Sequence, residues 1–306
     1  MQLTRSLLLR ASRSQWLARQ LRDRSFLRRA ARRFMPGEDV SEALGAAGDL
    51  ARAGIGAVLT QLGEQVQSHA EADQVRDHYL SVISEIRARG LPGEISIKLT
   101  HLGLDANREA CFGRLRALVT RAAEMGTFVW VDMEESRYVD ATLELYRRAR
   151  AERGAVGVCL QAYLRRTPED LDALLRLGPA IRLVKGAYNE PPHVALPRKA
   201  DVDRQYLALA GRLLDGARDG ARAVLGTHDM TLVNAIAGAA AERGLKADGY
   251  EIHMLYGIRV NDQRALAAQG WKIKTLISYG SAWFAWYMRR LAERPANVWF
   301  VLRSLV

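Results

Sequence analysis

The sequence predicts an α/β protein of the (β/α)8, TIM-type barrel class, preceded by a basic helical segment. Three observations carry this expectation. Eight short β-branched or apolar runs recur from residue 55 onward, helical stretches separate them, and a polar residue ends or follows nearly every run. Strand and helix alternating eight times over about 250 residues is the rhythm of this fold. An open doubly wound sheet is the alternative, but Gly54-Ile55-Gly56 lacks the third glycine of the dinucleotide-binding turn. The chain carries no P-loop and no paired-histidine metal motif.

The candidate strands are Ile55–Leu59, Ile95–Leu99, Phe128–Val131, Val156–Leu160, Ile181–Val184, Ala223–Leu225, Tyr250–Leu255 and Ile273–Ile277. Two of the stretches between them illustrate the helical signals. Asp140-Ala141-Thr142-Leu143-Glu144-Leu145-Tyr146 opens on an acid and continues with apolar spacings of three and four. Thr167-Pro168-Glu169-Asp170-Leu171 offers an N-cap residue and then proline at the first helical position.

At 306 residues, the chain can bury the core of one barrel or of two ordinary domains. Hydrophobic residues make up 49% and charged residues 26%, as in ordinary globular proteins. No apolar run approaches the roughly 20 residues of a membrane-spanning helix. Cys111 and Cys159 lack metal-type spacing and read as reduced thiols of a cytosolic protein.

The net charge of +11 is concentrated near the start, where ten arginines between Arg5 and Arg33 face Asp23 alone. The remainder is near neutral, which argues against a nucleic-acid groove through the fold. Leu3, Leu7, Leu8, Trp16, Leu17, Leu21, Phe26, Leu27 and Phe34 share the basic segment at mixed helical spacing. Three readings of it stand: amphipathic helices that pack on the fold or contact an anionic membrane, an organellar targeting peptide, and a nucleic-acid arm. The division expected is a basic arm over 1–40 and a catalytic barrel over 41–306.

The polar strand-end residues are Lys98, Asp132, Gln161, Lys185, the trio Thr227-His228-Asp229, Tyr256 and Tyr279. In a parallel barrel these positions converge on one face, where active sites of this fold lie. Each also has a plain explanation. Asp132 could cap a helix, Lys98 could pair with it, and His228 could be a satisfied core histidine. Lys185-Gly186-Ala187 suggests an anionic ligand, since Gly186 admits close backbone approach and Lys185 can bond a phosphate. Arg182 lies on the same strand face as Val184. Near the C-terminus, Arg289 and Arg290 stand among Trp283, Phe284, Trp286 and Tyr287, with Glu293 one turn later. Two guanidinium forks beside aromatic walls suit a small apolar carboxylate. A solvated basic helix end is the other reading of the pair.

Six separated segments, in order, resemble the proline dehydrogenase family, bacterial single-function type. They are Ile97-Lys98-Leu99-Thr100, Val131-Asp132-Met133-Glu134-Glu135, Leu160-Gln161-Ala162-Tyr163, Ile181 to Tyr188, Gly226-Thr227-His228-Asp229 and Tyr287 to Glu293. The resemblance runs from about Arg33 onward. It implies a distorted (β/α)8 barrel holding FAD non-covalently. It also implies hydride transfer from C5 of L-proline to flavin N5, yielding Δ1-pyrroline-5-carboxylate as the first step of proline catabolism to glutamate. Electrons then pass to a membrane quinone, and a separate pyrroline-5-carboxylate dehydrogenase acts downstream.

The roles implied follow the matched motifs. Arg289, Arg290 and Lys98 bind the proline carboxylate, and Glu293 braces the pair and counts among the cofactor-binding residues. Arg182 contacts the flavin at its reactive edge, and Asp132 stands near substrate and flavin; these two are the expected catalytic residues. Met133, Gln161, Val184, Lys185, Gly186, Ala187, Thr227 and His228 match cofactor contacts. Tyr188, Leu255 and Tyr279 match the wall on the pyrrolidine ring, Tyr188 also lying with the cofactor set. Two positions depart from the pattern: Trp286 where tyrosine is common, and His253 where glutamine is common. The localisation implied is cytoplasmic, with peripheral contact at the inner membrane face. Nucleic acid and metal are not expected as partners. Two other functions fit parts of the sequence: oxidation of another cyclic imino acid, such as hydroxyproline, and a basic-arm binding protein with the barrel as scaffold.

Overall fold

The structure is a computed structural model that describes residues 31–284 and Tyr287. The basic arm up to residue 30, together with Trp286, Arg289, Arg290 and Glu293, lies outside the described residues.

Eight parallel strands close into one barrel in chain order, the last pairing with the first. They are β1 (Gly56–Gln61), β2 (Gly93–Ile97), β3 (Val129–Val131), β4 (Val156–Gln161), β5 (Ala180–Val184), β6 (Arg222–Gly226), β7 (Glu251–Leu255) and β8 (Lys272–Tyr279). Each run expected from the sequence holds a strand, displaced by no more than two residues at either end. The helices are α1 (Val40–Arg52), α2 (His69–Ala88), α3 (Arg108–Met125), α4 (Val139–Glu152), α5 (Thr167–Leu175), α6 (Lys199–Arg218), α7 (Met230–Glu242) and α8 (Val260–Ala268).

The starts of these helices are written locally. Asp39 and Glu42 form a capping box at α1. Ser68, Asn107 and Asp229 accept backbone N–H groups at the starts of α2, α3 and α7. Pro168 sits in the first turn of α5, where its missing N–H costs nothing. Outward strand residues such as Ile97, Val131 and Ile277 are fully buried beneath the helices.

Just before α1, Ala31 and Met35 are buried. Phe34 lies 6.2 Å from the Tyr287 ring, and the Trp283 indole donates to Glu38.

Inside the barrel, Val58, Trp130, Ala180 and Val224 form an apolar layer. Gly157 makes room for the indole, because a Cβ there would stand 2.5 Å from Cζ3 of Trp130. Below that layer, at the N-terminal end of the strands, four charges pair within the barrel floor. Glu94 accepts from Arg222 at 2.7 Å and Lys274 at 2.5 Å, and Glu251 accepts from Arg222 at 2.6 Å. The Trp130 indole N–H donates to the other oxygen of Glu94 at 2.7 Å.

Candidate active site

Side chains two apart in a strand share a face. Lys98 therefore continues the inward face of Glu94 and Ser96, Asp132 that of Trp130, and Gln161 that of Cys159. Above the apolar layer they meet Arg182 of β5, which register places beside Cys159.

Arg182 is 4% exposed and its guanidinium is held from several directions. Nη2 donates to Asp132 Oδ1 at 2.5 Å and to Ser96 Oγ at 2.6 Å, and Nε donates to Cys159 Sγ at 2.9 Å. The guanidinium carbon stands 5.0 Å from the Trp130 ring centre. Asp132 Oδ1 also accepts from Ser96 Oγ at 2.9 Å and from the Cys159 thiol at 3.3 Å. Burial pushes that thiol up to about 12, so it stays protonated and relays a hydrogen bond between cation and carboxylate. Two polar atoms are left over: Arg182 Nη1 and Gln161 Oε1 are buried without a hydrogen-bond partner among the described residues. A buried donor and acceptor without partners are costly unless a ligand meets them. A flat group bearing both an acceptor and an N–H along its edge, as a flavin does, fits that pair.

The other expected residues are placed as follows. Gln161 donates to the Met133 carbonyl at 3.2 Å, which fixes both at the mouth. Lys98 is half-buried and makes no ion pair or side-chain hydrogen bond among the described residues. Val184 ends β5, and its carbonyl accepts from Ala162 N–H. Lys185 was expected to face a phosphate; here its ammonium lies 2.5 Å from Asp203 and 3.3 Å from Asp229. The close approach at Gly186, whose φ is +110°, is made by the Tyr163 ring, 2.1 Å from where a Cβ would stand. Ala187 is exposed and Tyr188 half-buried. Thr227 is buried and accepts from the Asp229 N–H, while His228 Nε2 accepts from the Leu255 N–H at 2.8 Å. Leu255 lies level with Leu276 of β8, which packs against the interior layer. Tyr279 shares the outward face of Ile277, is 1% exposed, and bonds the His78 ring at 2.8 Å. His253 is buried inside the barrel and bonds Glu251 at 3.2 Å; burial holds its imidazole down at about 4.

Sequence reasoning missed Ser96 and Cys159. The period of two would have found them, since each precedes an expected site residue by two positions on the same face. Thr100 and Glu134 lie in the matched segments, which imply no role for them. Glu134 is buried, accepting from Thr100 N at 3.1 Å and Thr100 Oγ1 at 2.6 Å, and it pins the turn that follows Lys98. Burial raises its carboxyl to about 7. The folded chain thus keeps this proton over a window in which the unfolded carboxyl, near its ordinary 4.5, has lost it. Stability from this group therefore falls as pH rises from about 4.5 to 7, by on the order of 3 kcal/mol. Glu134→Gln imitates the protonated acid. Its melting temperature should exceed that of the wild type at pH 8 and match it at pH 5; equal melting temperatures at both would refute the assignment.

A cavity of about 380 Å³ opens at the opposite end, lined in part by Glu94, Phe128, Arg222 and Lys274. Arg222 and Lys274 are both paired with Glu94 there, whereas the unpartnered Arg182 Nη1 and Gln161 Oε1 lie at the mouth.

A closed parallel barrel with a buried acid–arginine couple at the C-terminal ends of its strands defines a barrel enzyme. Comparison with known proteins narrows the class. Residues 43–303 match the family described as Proline dehydrogenase. Proline dehydrogenase 1 of Bacillus subtilis (strain 168) is 37% identical over 280 residues, 91% of each chain. Proline dehydrogenase of Deinococcus radiodurans is 38% identical over 281 residues, 90% of each chain. The chain belongs to the proline dehydrogenase family, oxidoreductases that act on proline in the first step of its catabolism.

Among solved structures, proline utilization A (PutA) from Bdellovibrio bacteriovorus superposes with a TM-score of 0.81 at 24% identity. That likeness concerns the fold. It covers 86% of this chain and 32% of the other, so the chain spans about a third of that protein. No described helix is long and apolar enough to cross a membrane.

Proposed function

We propose that the barrel mouth takes FAD and oxidises L-proline to Δ1-pyrroline-5-carboxylate, the electrons passing to a membrane quinone. The observation that carries this reading is the Asp132–Arg182 couple with Arg182 Nη1 and Gln161 Oε1 left unpartnered beside it. FAD, when bound, supplies the hydride acceptor; the residues of the chain bind and orient. Gln161 and Arg182 would offer an acceptor and a donor to the ring edge, and the chain after β5 and β6 would hold the rest of the cofactor. Asp132 fixes the guanidinium in place. Lys98, with Arg289 and Arg290, clamps the proline carboxylate. Such a clamp contributes mainly positioning, turning an encounter into a nearly unimolecular step.

The protein works on the cytoplasmic side, the arginine-rich part of the 1–40 arm touching the inner membrane face and 41–306 forming the catalytic unit. A separate dehydrogenase takes the product onward. Dense arginines in the arm and the match to relatives of similar length support this arrangement.

The test is dye reduction by L-proline with a yellow, flavin-type spectrum, run beside Arg289→Lys and Arg290→Lys. Lysine loses the bidentate fork, so KM for proline should rise by roughly 10- to 100-fold, the worth of a hydrogen bond to a charged group. A colourless protein, or unchanged KM in both variants, would overturn the reading.

A further inference from the structure

We infer that Trp130 is a positioning residue for the reaction, fixing the guanidinium of Arg182 from beneath. The inference rests on the proposed role of Arg182 at the flavin. Arg182 Cζ stands 5.0 Å from the Trp130 ring centre, within cation–π range. The ring is itself fixed. Its N–H is bonded to Glu94 at 2.7 Å, the His253 ring meets it edge-on at 5.8 Å, and Arg222 Cζ stands 5.1 Å from its centre. The absent Cβ of Gly157 leaves it one slot.

The arrangement settles what holds Arg182 along its length. Nε and Nη2 are bonded to Cys159, Ser96 and Asp132, all beside it. Nη1 has no hydrogen bond among the described residues. Those bonds fix the in-plane position of the guanidinium, while an aromatic face fixes its plane. Tilting that plane would swing Nη1 away from its ligand without breaking the bond to Asp132. Trp130 is 0% exposed, so the contact is desolvated, where cation–π attraction is strongest.

The experiment compares Trp130→Phe and Trp130→Leu with the wild-type holoprotein, and with Arg182→Lys. Measured are flavin-to-protein ratio, the visible flavin spectrum, the midpoint potential of the bound flavin, kcat, and KM for L-proline. A displaced positive charge lowers the potential. The expected order is wild type, then Phe, then Leu, with kcat falling about tenfold in Leu and KM moving less than twofold. Phenylalanine keeps a weaker aromatic face and rescues part of the loss. A core residue with no positioning role would lower melting temperature alike in both variants and leave potential, spectrum and kcat unmoved; that result overturns the inference. If Trp130→Leu does not fold, Trp130→Phe decides: wild-type potential and kcat overturn the inference, and intermediate values support it. If Arg182→Lys itself keeps the wild-type spectrum and potential, the reading of Arg182 fails first. If Arg182→Lys shifts them and the Trp130 variants do not, only the present inference fails.

Discussion

Asp132→Ala is expected to lower the unfolding free energy by about 3–5 kcal/mol and to remove most activity with L-proline. The reason is the charge left behind. Arg182 is 4% exposed, and Asp132 is its one ion-pair partner among the described residues. Removing one member of a buried pair strands the other in low dielectric, which costs more than the pair itself contributes. Ser96 and Cys159 would still accept from the guanidinium, but neither carries charge to offset it. Asp132→Asn should be milder, because an amide oxygen can still accept from Nη2. Urea unfolding of both variants beside the wild type tests the ordering. An alanine variant as stable as the wild type would mean that water reaches the guanidinium and the couple is not buried as described.

Glu94→Ala should be comparably damaging at the other end of the barrel, by about 3–5 kcal/mol. Glu94 accepts from Arg222, Lys274 and the Trp130 indole, and it is 6% exposed. Its loss leaves Glu251 to serve two cations, with Lys274 3.6 Å away. Burial opposes ionisation of Glu94, yet Lys274 and Arg222 outweigh it and hold the carboxyl below its ordinary range. A depressed carboxyl stabilises the fold above its unfolded value and loses that contribution as pH falls through the folded one. The wild type should therefore lose more stability than the variant on acidification below about pH 4.5. Denaturation midpoints at pH 7 and pH 3.5 check both parts. A gap between wild type and variant that does not narrow at the lower pH would refute the assignment.

The strands were legible because parallel barrel strands, covered on the outside by helices, read as continuous apolar runs. Phe128–Val131 and Val156–Leu160 needed nothing else. The site was legible in part, through residues that end strands: Asp132 and Gln161 stand out because a polar group follows an apolar run. Their partners did not, since Ser96 and Cys159 are small, common residues inside a strand. The pairing of Lys185 was not legible, because Asp203, its partner, lies 18 positions further on, in α6. The ionic floor was invisible for a similar reason: Glu94, Arg222, Glu251 and Lys274 are single charges at strand beginnings, up to 180 positions apart, and only closure of the barrel gathers them. Lys98 and the double arginine stood out by charge alone.

The seam between β1 and β8 has a bearing on how the chain is made. Ala57 sits opposite Thr275, so the first strand finds its second neighbour only after nearly the whole chain exists. At ordinary ribosomal speeds of about 5–20 residues per second, that wait is roughly ten to forty seconds. Throughout it, Gly56–Gln61 presents a row of unpaired N–H and C=O groups, and Val58 and Leu59 await burial. A nascent chain in that state is open to strand pairing with its neighbours on the same messenger. Crowded synthesis should therefore produce more insoluble protein than slow synthesis at the same final yield.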